Sequence, residues 1–275
     1  MASAPPRLRL GGMALANGLL VHGPRRWAAA VVDDHGEVVV ASGPRPTLAV
    51  GPLARVPLVR GAVRMAEMML VVPAARRGVP QARLAFEDGP IAPLMAGSMA
   101  ATAASRRMLP SGLAQEAAAT VLALAPALIA LRSSDAAAWH AVEHKSIAAY
   151  ERAGEDGLAD NALDPKEHDR CGSNLVLPLV VATAAGNLLV RRLPSRRARL
   201  AGRVAAMAAG VGAAVEAFSF AERHPRSAVG RAVHAAGHAI QAGFVTREPS
   251  AAQLGVGRAA MHEVLRAERA AGAPA

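Results

Sequence analysis

The sequence predicts a mainly α-helical, membrane-associated bundle with a small N-terminal β-hairpin element. Strand-like segments are confined to residues 12–50, and four apolar stretches follow residue 90. Hydrophobic residues make up 52% of the 275 residues but aromatic residues only 3%, so much of the apolar content is alanine. We therefore expect two parts, an N-terminal β-rich element at residues 1–57 and a helical membrane-associated domain at residues 58–275 that carries the functional motif.

The β element is predicted from a hairpin signal. Trp27–Val32 and Glu37–Val40 are short runs of strand-forming residues, and Asp33–Gly36 between them has the composition of a turn. Prolines then mark a loop, and from Leu58 to about Ala75 the apolar spacing predicts a helix.

Four apolar stretches follow, and two interpretations of them stay open. They cover residues 91–104, 117–131, 175–190 and 204–220. A helix that spans a bilayer needs about 20 apolar residues, and these stretches are at or below that length. They are therefore either short or tilted membrane helices, or the buried helices of an α-helical bundle.

Two pairs of metal-binding residue types stand between the second and third stretches. His140 and His144 are four residues apart, and His168 and Cys171 are three apart. Residues at these spacings share one face of a helix, so each pair can direct two ligands at one point. We expect a helix over residues 136–152 capped by Asp135, a polar loop, and a second short helix that begins at Asp164 and ends near residue 172.

Three imidazoles and one thiolate form a ligand set that zinc accepts. Glu143 lies inside the first pair, in the order H-x-x-E-H, and could act as a catalytic base or as another ligand. A closed four-ligand site would be structural, whereas an open three-ligand site would leave room for chemistry. Without a metal, the two histidines would be polar-face residues and Cys171 a small buried hydrophobic residue.

At these motifs the chain resembles the YqhQ-like family of bacterial membrane proteins (domain of unknown function 1385). The matching segments are His140–Lys145, His168–Ser173 and Thr246–Pro249, together with Gly11–Ala14 near the N-terminus. Ala141, Asp169 and Asn17 depart from the family pattern, where glycine, proline and glutamate are expected. The departures leave the proposed ligands His140, His144, His168 and Cys171 intact.

The resemblance implies a multi-pass protein of the bacterial cytoplasmic membrane with a metal site, and it favours the membrane interpretation of the apolar stretches. It implies no substrate. The first hypothesis is therefore a zinc-dependent hydrolase of unknown substrate with Glu143 as general base. The alternative is a non-enzymatic membrane scaffold or accessory factor whose His/Cys site is structural.

Charge and cysteine content narrow the choice of partners. The formal net charge is +10, which favours an anionic partner such as a lipid bilayer, with a membrane protein or a ribosome as a further partner. The sequence disfavours nucleic acid as a partner, because arginines are spread along the chain without a basic run interleaved with aromatics. The single cysteine excludes an intramolecular disulfide framework.

Orientation in the membrane is ambiguous from sequence. Arginines cluster between the first and second stretches and between the third and fourth, which would place both loops in the cytoplasm and the His/Cys loop on the other side. The apolar segment near the N-terminus is broken by Gly11, Gly12 and Asn17, so we expect no secretory signal. We therefore expect a cytoplasm-facing site, with some helices dipping into the membrane or lying along it.

Three other features have structural interpretations. His234 and His238 are four residues apart but have no carboxylate or thiol near them in sequence, so we expect a polar helix face. Glu216 lies within an apolar helix and needs a partner such as an arginine. Arg247 and Glu248 precede a final helix and could contact the centre or form salt bridges, and the structural role is favoured.

Overall fold

A computed structural model of the chain describes residues 7–48, 51–85, 87, 91–133 and 135–272. These residues form a four-stranded antiparallel sheet followed by eight α-helices, which agrees with the predicted fold class. The strands are β1 (Gly11–Ala14), β2 (Gly18–His22), β3 (Arg26–Val32) and β4 (Val38–Pro44). The helices are α1 (Val59–Gly78), α2 (Ile91–Met108), α3 (Leu113–Ser133), α4 (Ala136–Ala153), α5 (Val176–Arg191), α6 (Arg196–Arg223), α7 (Ala228–Ile240) and α8 (Ala251–Ala270).

The predicted hairpin is confirmed and belongs to a larger meander with the strand order β1-β2-β3-β4. The β3–β4 pairing joins Val32 to Val38, and Gly36 in the turn has a φ of 83°, which glycine adopts without strain. The Asp33 carboxylate accepts the backbone N–H groups of His35 and Glu37, both at 2.9 Å. These side-chain bonds stabilise the turn in the way expected of aspartate.

The sheet is covered on both faces, because successive side chains of a strand point to opposite sides. Leu19 and Val21 pack with Trp139 and Val142 of α4 and with Met261 of α8. On the other face, the neighbouring strand residues pack against α1, in a cluster formed by Leu20, Trp27, Val31, Val71 and Ala75. The sheet therefore provides a rigid support for α4, which carries two of the proposed ligands.

Three helical segments among the described residues are long and apolar enough to cross a membrane by length and composition. They are Leu113–Arg132, Gly172–Arg191 and Arg196–Arg223, and most of each apolar window is not buried inside the protein. These segments suggest a membrane protein and are compatible with contact with a lipid bilayer. The stretch at residues 91–104 forms part of α2, which does not meet the same criteria.

The candidate spans share two polar ends. At one end, the buried Glu116 of α3 accepts two hydrogen bonds from Arg106 of α2, at 3.0 and 3.1 Å, and one from Asn187 of α5 at 3.1 Å. Arg191 also pairs with Glu116 at 2.5 Å. Arg132 near the end of α3, the first residues of α5 and the last turns of α6 lie at the other end, towards the His/Cys residues.

Candidate metal centre

Helix α4 holds His140 and His144 in a fixed orientation because it is buried along most of its length. Gly257 of α8 allows the close approach, since a methyl group there would lie 2.6 Å from Ser146 Oγ. The predicted helix over residues 136–152 is confirmed. Asp135 occupies the N-cap position without a capping hydrogen bond, and its carboxylate instead accepts a hydrogen bond from Arg247 at 2.6 Å.

The second predicted helix, beginning at Asp164, is wrong. Residues 164–171 form an irregular loop, and the polar segment before it is a 3₁₀ helix at Gly154–Leu163. The Asp164 carboxylate does not cap a helix because it pairs with Arg152 at 2.9 and 3.0 Å. The His168 backbone N–H donates to the side chain of Gln241, 2.7 Å away, so it has no need of a helical partner.

Gln241 is fully buried and fixes the loop against the turn that follows α7. Besides accepting from the His168 backbone, it donates to the Ser173 hydroxyl at 2.9 Å and to the His168 carbonyl at 3.2 Å. Cys171 follows within the same loop, and its sulfur accepts the Ser173 backbone N–H at 3.4 Å. This clamp, which sequence patterns did not reveal, determines where the thiol lies.

The loop brings Cys171 to the face of α4 that carries the histidines. His140 Nε2 lies 3.3 Å from Cys171 Sγ, and ligand atoms of His140, His144 and Cys171 all lie within 4.8 Å of one another. The ring centroids of the two histidines are 4.4 Å apart. Zinc binds nitrogen and sulfur ligands at about 2.0–2.3 Å, and this cluster is compact enough to surround one ion.

Both histidines are oriented through their other ring nitrogen. His140 Nδ1 lies 3.0 Å from the Val245 carbonyl, and His144 Nδ1 lies 2.6 Å from the Lys166 carbonyl. A carbonyl only accepts, so each Nδ1 carries a proton, and in the neutral form of each ring Nε2 presents a lone pair. The buried Nε2 of His144 has no hydrogen-bond partner among the described residues. Metal-binding histidines commonly have this arrangement, in which a backbone carbonyl fixes the tautomer.

The electrostatics favour uncharged groups in the absence of a cation. Burial, followed by the charge of His140, lowers the pKa of His144 well below its usual value, so this imidazole is neutral at pH 7. Burial raises the pKa of the Cys171 thiol to about 11. A cation would reverse the second effect by favouring the thiolate. The neutral imidazole of His144, one displaceable thiol proton and an unsatisfied buried nitrogen therefore fit a zinc ion.

Glu143 lies beside this cluster, with Oε2 3.9 Å from His140 Nε2. Its side chain packs over β1, where a methyl group at Gly12 would lie 2.7 Å from Glu143 Cγ. Burial raises the pKa of Glu143, and the positive charges of His140, His168 and Arg170 oppose the shift. Gly12 therefore makes room for a buried carboxyl group next to the candidate ligands.

His168, the fourth predicted ligand, lies outside the compact group. Its Nδ1 accepts the Arg170 backbone N–H at 3.1 Å, and its Nε2 lies 3.2 Å from Glu151 Oε2. Both nitrogens therefore have partners, although the ring centroid is only 5.7 Å from that of His144. The structure brings together three of the four predicted ligands and Glu143, and it places His168 beside this group but outside it.

The other polar motifs have defined partners. His238 Nε2 lies 2.9 Å from Asp169 Oδ1, and His234 Nδ1 lies 3.7 Å from the same atom. The expectation that this pair has no carboxylate nearby is therefore wrong, because the loop supplies one from a distant part of the sequence. Glu216 pairs with Arg60, as the need for a partner predicted.

The segment Thr246–Pro249 is tied to α4 by ion pairs, which confirms the structural role. Arg247 pairs with Asp135 at 2.6 Å, and Glu248 pairs with Lys145 at 2.8 Å. The buried Lys145 also donates to the Asp164 carbonyl at 2.8 Å. These contacts hold α4, the loop and the C-terminal segment together around the centre.

The comparisons with known proteins give a family match over the region that carries the centre. A model for the family described as "Protein of unknown function (DUF1385)" matches residues 136–267. No curated protein and no solved structure matched the chain. The matched region begins with α4 and includes all the residues of the cluster. Over these residues, the chain matches the DUF1385 family of proteins of unknown function.

Proposed function

We propose that this protein is a membrane-associated zinc protein whose centre is formed by His140, His144 and Cys171, and that it is a hydrolase. The observation that supports this most strongly is the pair of Nδ1–carbonyl bonds, which turn two imidazole lone pairs towards the same point as the Cys171 sulfur. Three protein ligands leave one tetrahedral position free, which is typical of catalytic rather than structural zinc.

Glu143 is the proposed general base of this reaction. Its carboxyl group is buried beside the ligands, 3.9 Å from His140 Nε2. When bound, zinc would supply Lewis acidity to the reacting group. In this scheme Glu143 accepts the proton from the attacking water, and Gly12 keeps the space that the carboxyl group occupies. The substrate class is developed below.

The zinc content of detergent-purified protein tests the metal site. We expect near-stoichiometric zinc in the wild type, loss in both His144→Ala and Cys171→Ser, and retention in Glu143→Gln. His168→Ala decides between three and four ligands. Retained zinc in that variant supports the three-residue centre, and loss of zinc equal to that in Cys171→Ser supports the four-residue set. A folded wild type that binds no supplied zinc contradicts the proposal.

A second candidate is a non-enzymatic membrane scaffold in which the site is a structural clasp. The observation that favours it is the extent of local bonding, since Gln241 and Lys145 already tie the loop to α7 and α4. A clasp predicts that chelation lowers the unfolding temperature strongly, because metal binding then contributes folding free energy. A hydrolase predicts a small loss of stability on chelation and the complete loss of turnover in Glu143→Gln.

We also propose that the protein is a multi-pass protein of the bacterial cytoplasmic membrane and that the centre faces the cytoplasm. A reduced thiol ligand supports this, because a reducing compartment preserves it. The arginines at the other ends of α5 and α6 oppose it under the positive-inside rule. Labelling of single-cysteine variants on each side of intact cells distinguishes the two orientations. A membrane protein or a ribosome remains a proposed partner, and the division between residues 57 and 58 remains a prediction.

A further inference from the structure

A large cleft opens next to the proposed centre, between the N-terminal strands and the ends of α6 and α7. Its volume is about 1850 Å³, well above the ~300–1,000 Å³ of ordinary small-molecule pockets. His168 is part of its lining and approaches the ring of His144 to 5.7 Å between centroids. A ligand in the cleft would therefore be separated from the centre only by the imidazole ring of His168.

The charge of the cleft is positive. Its lining has six arginines and four carboxylates. The arginines are Arg7, Arg9, Arg45, Arg64, Arg170 and Arg223. Burial and then the charge of Arg45 lower the pKa of His22, which also lines the cleft. Neighbouring cations therefore repel one another in this cleft, as expected where an anion is to be bound.

Two of these guanidinium groups are poorly neutralised by the protein. The exposed Arg64 side chain forms no ion pair or hydrogen bond with another described residue. Arg45 has its nearest carboxylate oxygen, on Glu67, 3.9 Å away, and its buried Nε has no partner among the described residues. Guanidinium groups bind phosphate through paired hydrogen bonds, and phosphate accepts from several of them at once.

The cleft also has an apolar wall, part of which belongs to a candidate membrane span. Its lining includes Val215 and Phe218 from the last turns of α6, and Leu10 and Met68 from the opposite side. The 28 residues of α6 extend about 42 Å, which exceeds the ~30 Å hydrocarbon core of a bilayer. The end of this candidate span therefore reaches the headgroup region, where a lipid can enter from the side.

We infer that the cleft binds the phosphate headgroup of an anionic membrane lipid and holds it next to the His/Cys centre. The catalytic consequence of this binding rests on the proposed function. The binding itself depends on the arginines rather than on the metal ligands. The combination of basic groups and an apolar wall points to a phosphate-bearing amphiphile as the ligand class.

Calorimetric titration of the detergent-solubilised full chain tests this inference. The probes are dihexanoyl phosphatidic acid, dihexanoyl phosphatidylcholine and inorganic phosphate. We expect phosphatidic acid to bind most tightly and Arg64→Gln to weaken it about three- to fivefold, the effect of losing one exposed charge contact. Arg107→Gln is the matched control. Arg107 is an exposed arginine on α2 that has no ion-pair partner among the described residues and does not line the cleft.

The remaining outcomes separate this inference from the proposed function. Cys171→Ser should lose zinc but retain phosphatidic acid binding, because the arginines are unchanged. Loss of lipid binding in Cys171→Ser would mean that the metal, not the cleft, holds the anion, and this overturns the inference. Inorganic phosphate binding as tightly as phosphatidic acid would also overturn it in favour of a soluble phosphate ligand. Equal effects of Arg64→Gln and Arg107→Gln on phosphatidic acid binding, or no binding at all, would refute lipid binding in the cleft. Neither outcome would affect the zinc result.

Discussion

Zinc binding should release about one proton, and Cys171 should be its source. Burial raises the pKa of this thiol to about 11, so only about one molecule in ten thousand is a thiolate at pH 7. A thiolate ligand must lose its proton before or as the metal binds. His144 contributes no proton, because burial lowers its pKa and the imidazole is already neutral.

The magnitude follows from the difference between this pKa and the pH. Four pH units correspond to about 5 kcal/mol, so deprotonation of Cys171 weakens zinc binding at pH 7 by about ten thousandfold. The apparent affinity should rise about tenfold for each pH unit while the pH remains below the thiol pKa. From about pH 7.0 to 8.5 the expected gain is about 30-fold.

The assay is calorimetry of zinc binding to the metal-free protein in two buffers of different ionisation enthalpy. The difference in heat gives the number of protons released. Cys171→Ser is the control and should show weaker binding, little proton release and little pH dependence over this range. Glu143→Gln tests whether the neighbouring carboxyl group adds a second proton. Wild-type binding without proton release, or the same pH dependence in Cys171→Ser, would refute the assignment of the thiolate as a ligand.

Two further predictions concern stability. Gly257→Ala should destabilise the protein by about 1–3 kcal/mol, because the added methyl group overpacks α8 against Ser146. Gly255→Ala is the control and should be neutral or slightly stabilising, because the nearest neighbour of the added methyl group is the flexible end of Arg258 at 3.5 Å. Thermal unfolding in detergent measures both variants, and equal effects would contradict the close packing. The metal-free protein should lose stability as the pH falls below 6.5, because His144 binds a proton in the unfolded chain but stays neutral when it is buried in the folded protein. The contribution of His144 is up to about 1.4 kcal/mol per pH unit. Burial also lowers the pKa values of His22 and His168, so the informative quantity is the difference from His144→Gln, and an identical pH slope in that variant would contradict the burial of a neutral imidazole.

The fold class and the main elements follow from local sequence patterns. The β3–β4 hairpin was predictable because Asp33 and Gly36 have well-defined roles in turns. The helix α4 was predicted from a start at Asp135, and it begins there although the Asp135 side chain makes no capping hydrogen bond. The apolar stretches predicted helices, but their lengths alone could not show which ones would be long enough to span a bilayer. The structure identifies three candidate spans, in α3, α5 and α6.

The candidate site was predictable only in part. The spacing of His140 and His144 shows that they share a helix face, and the structure places them 4.4 Å apart between centroids. The path of residues 164–171 was mispredicted because Asp164 and Pro165 form a good helix-start signal locally. Arg152 and Gln241, one from the preceding helix and one about 70 residues away, take the groups that would have begun that helix.

The separation of His168 from the other ligands has the same non-local origin. The spacing of His168 and Cys171 suggested a common direction, but their loop is not helical, and Glu151 and the Arg170 backbone occupy the two imidazole nitrogens. Asp169 instead faces His234 and His238. No short pattern connects these residues, so their association could not be read from the sequence.

X-ray absorption at the zinc edge is the most direct test of the centre formed by His140, His144 and Cys171. On zinc-loaded wild-type protein, the account predicts one sulfur neighbour at about 2.3 Å and two imidazole nitrogens at about 2.0 Å, with one remaining light-atom ligand. The sulfur signal should disappear in Cys171→Ser, and the imidazole count should not change in His168→Ala. A zinc environment without sulfur, or with three imidazoles that fall to two in His168→Ala, would contradict the three-residue centre.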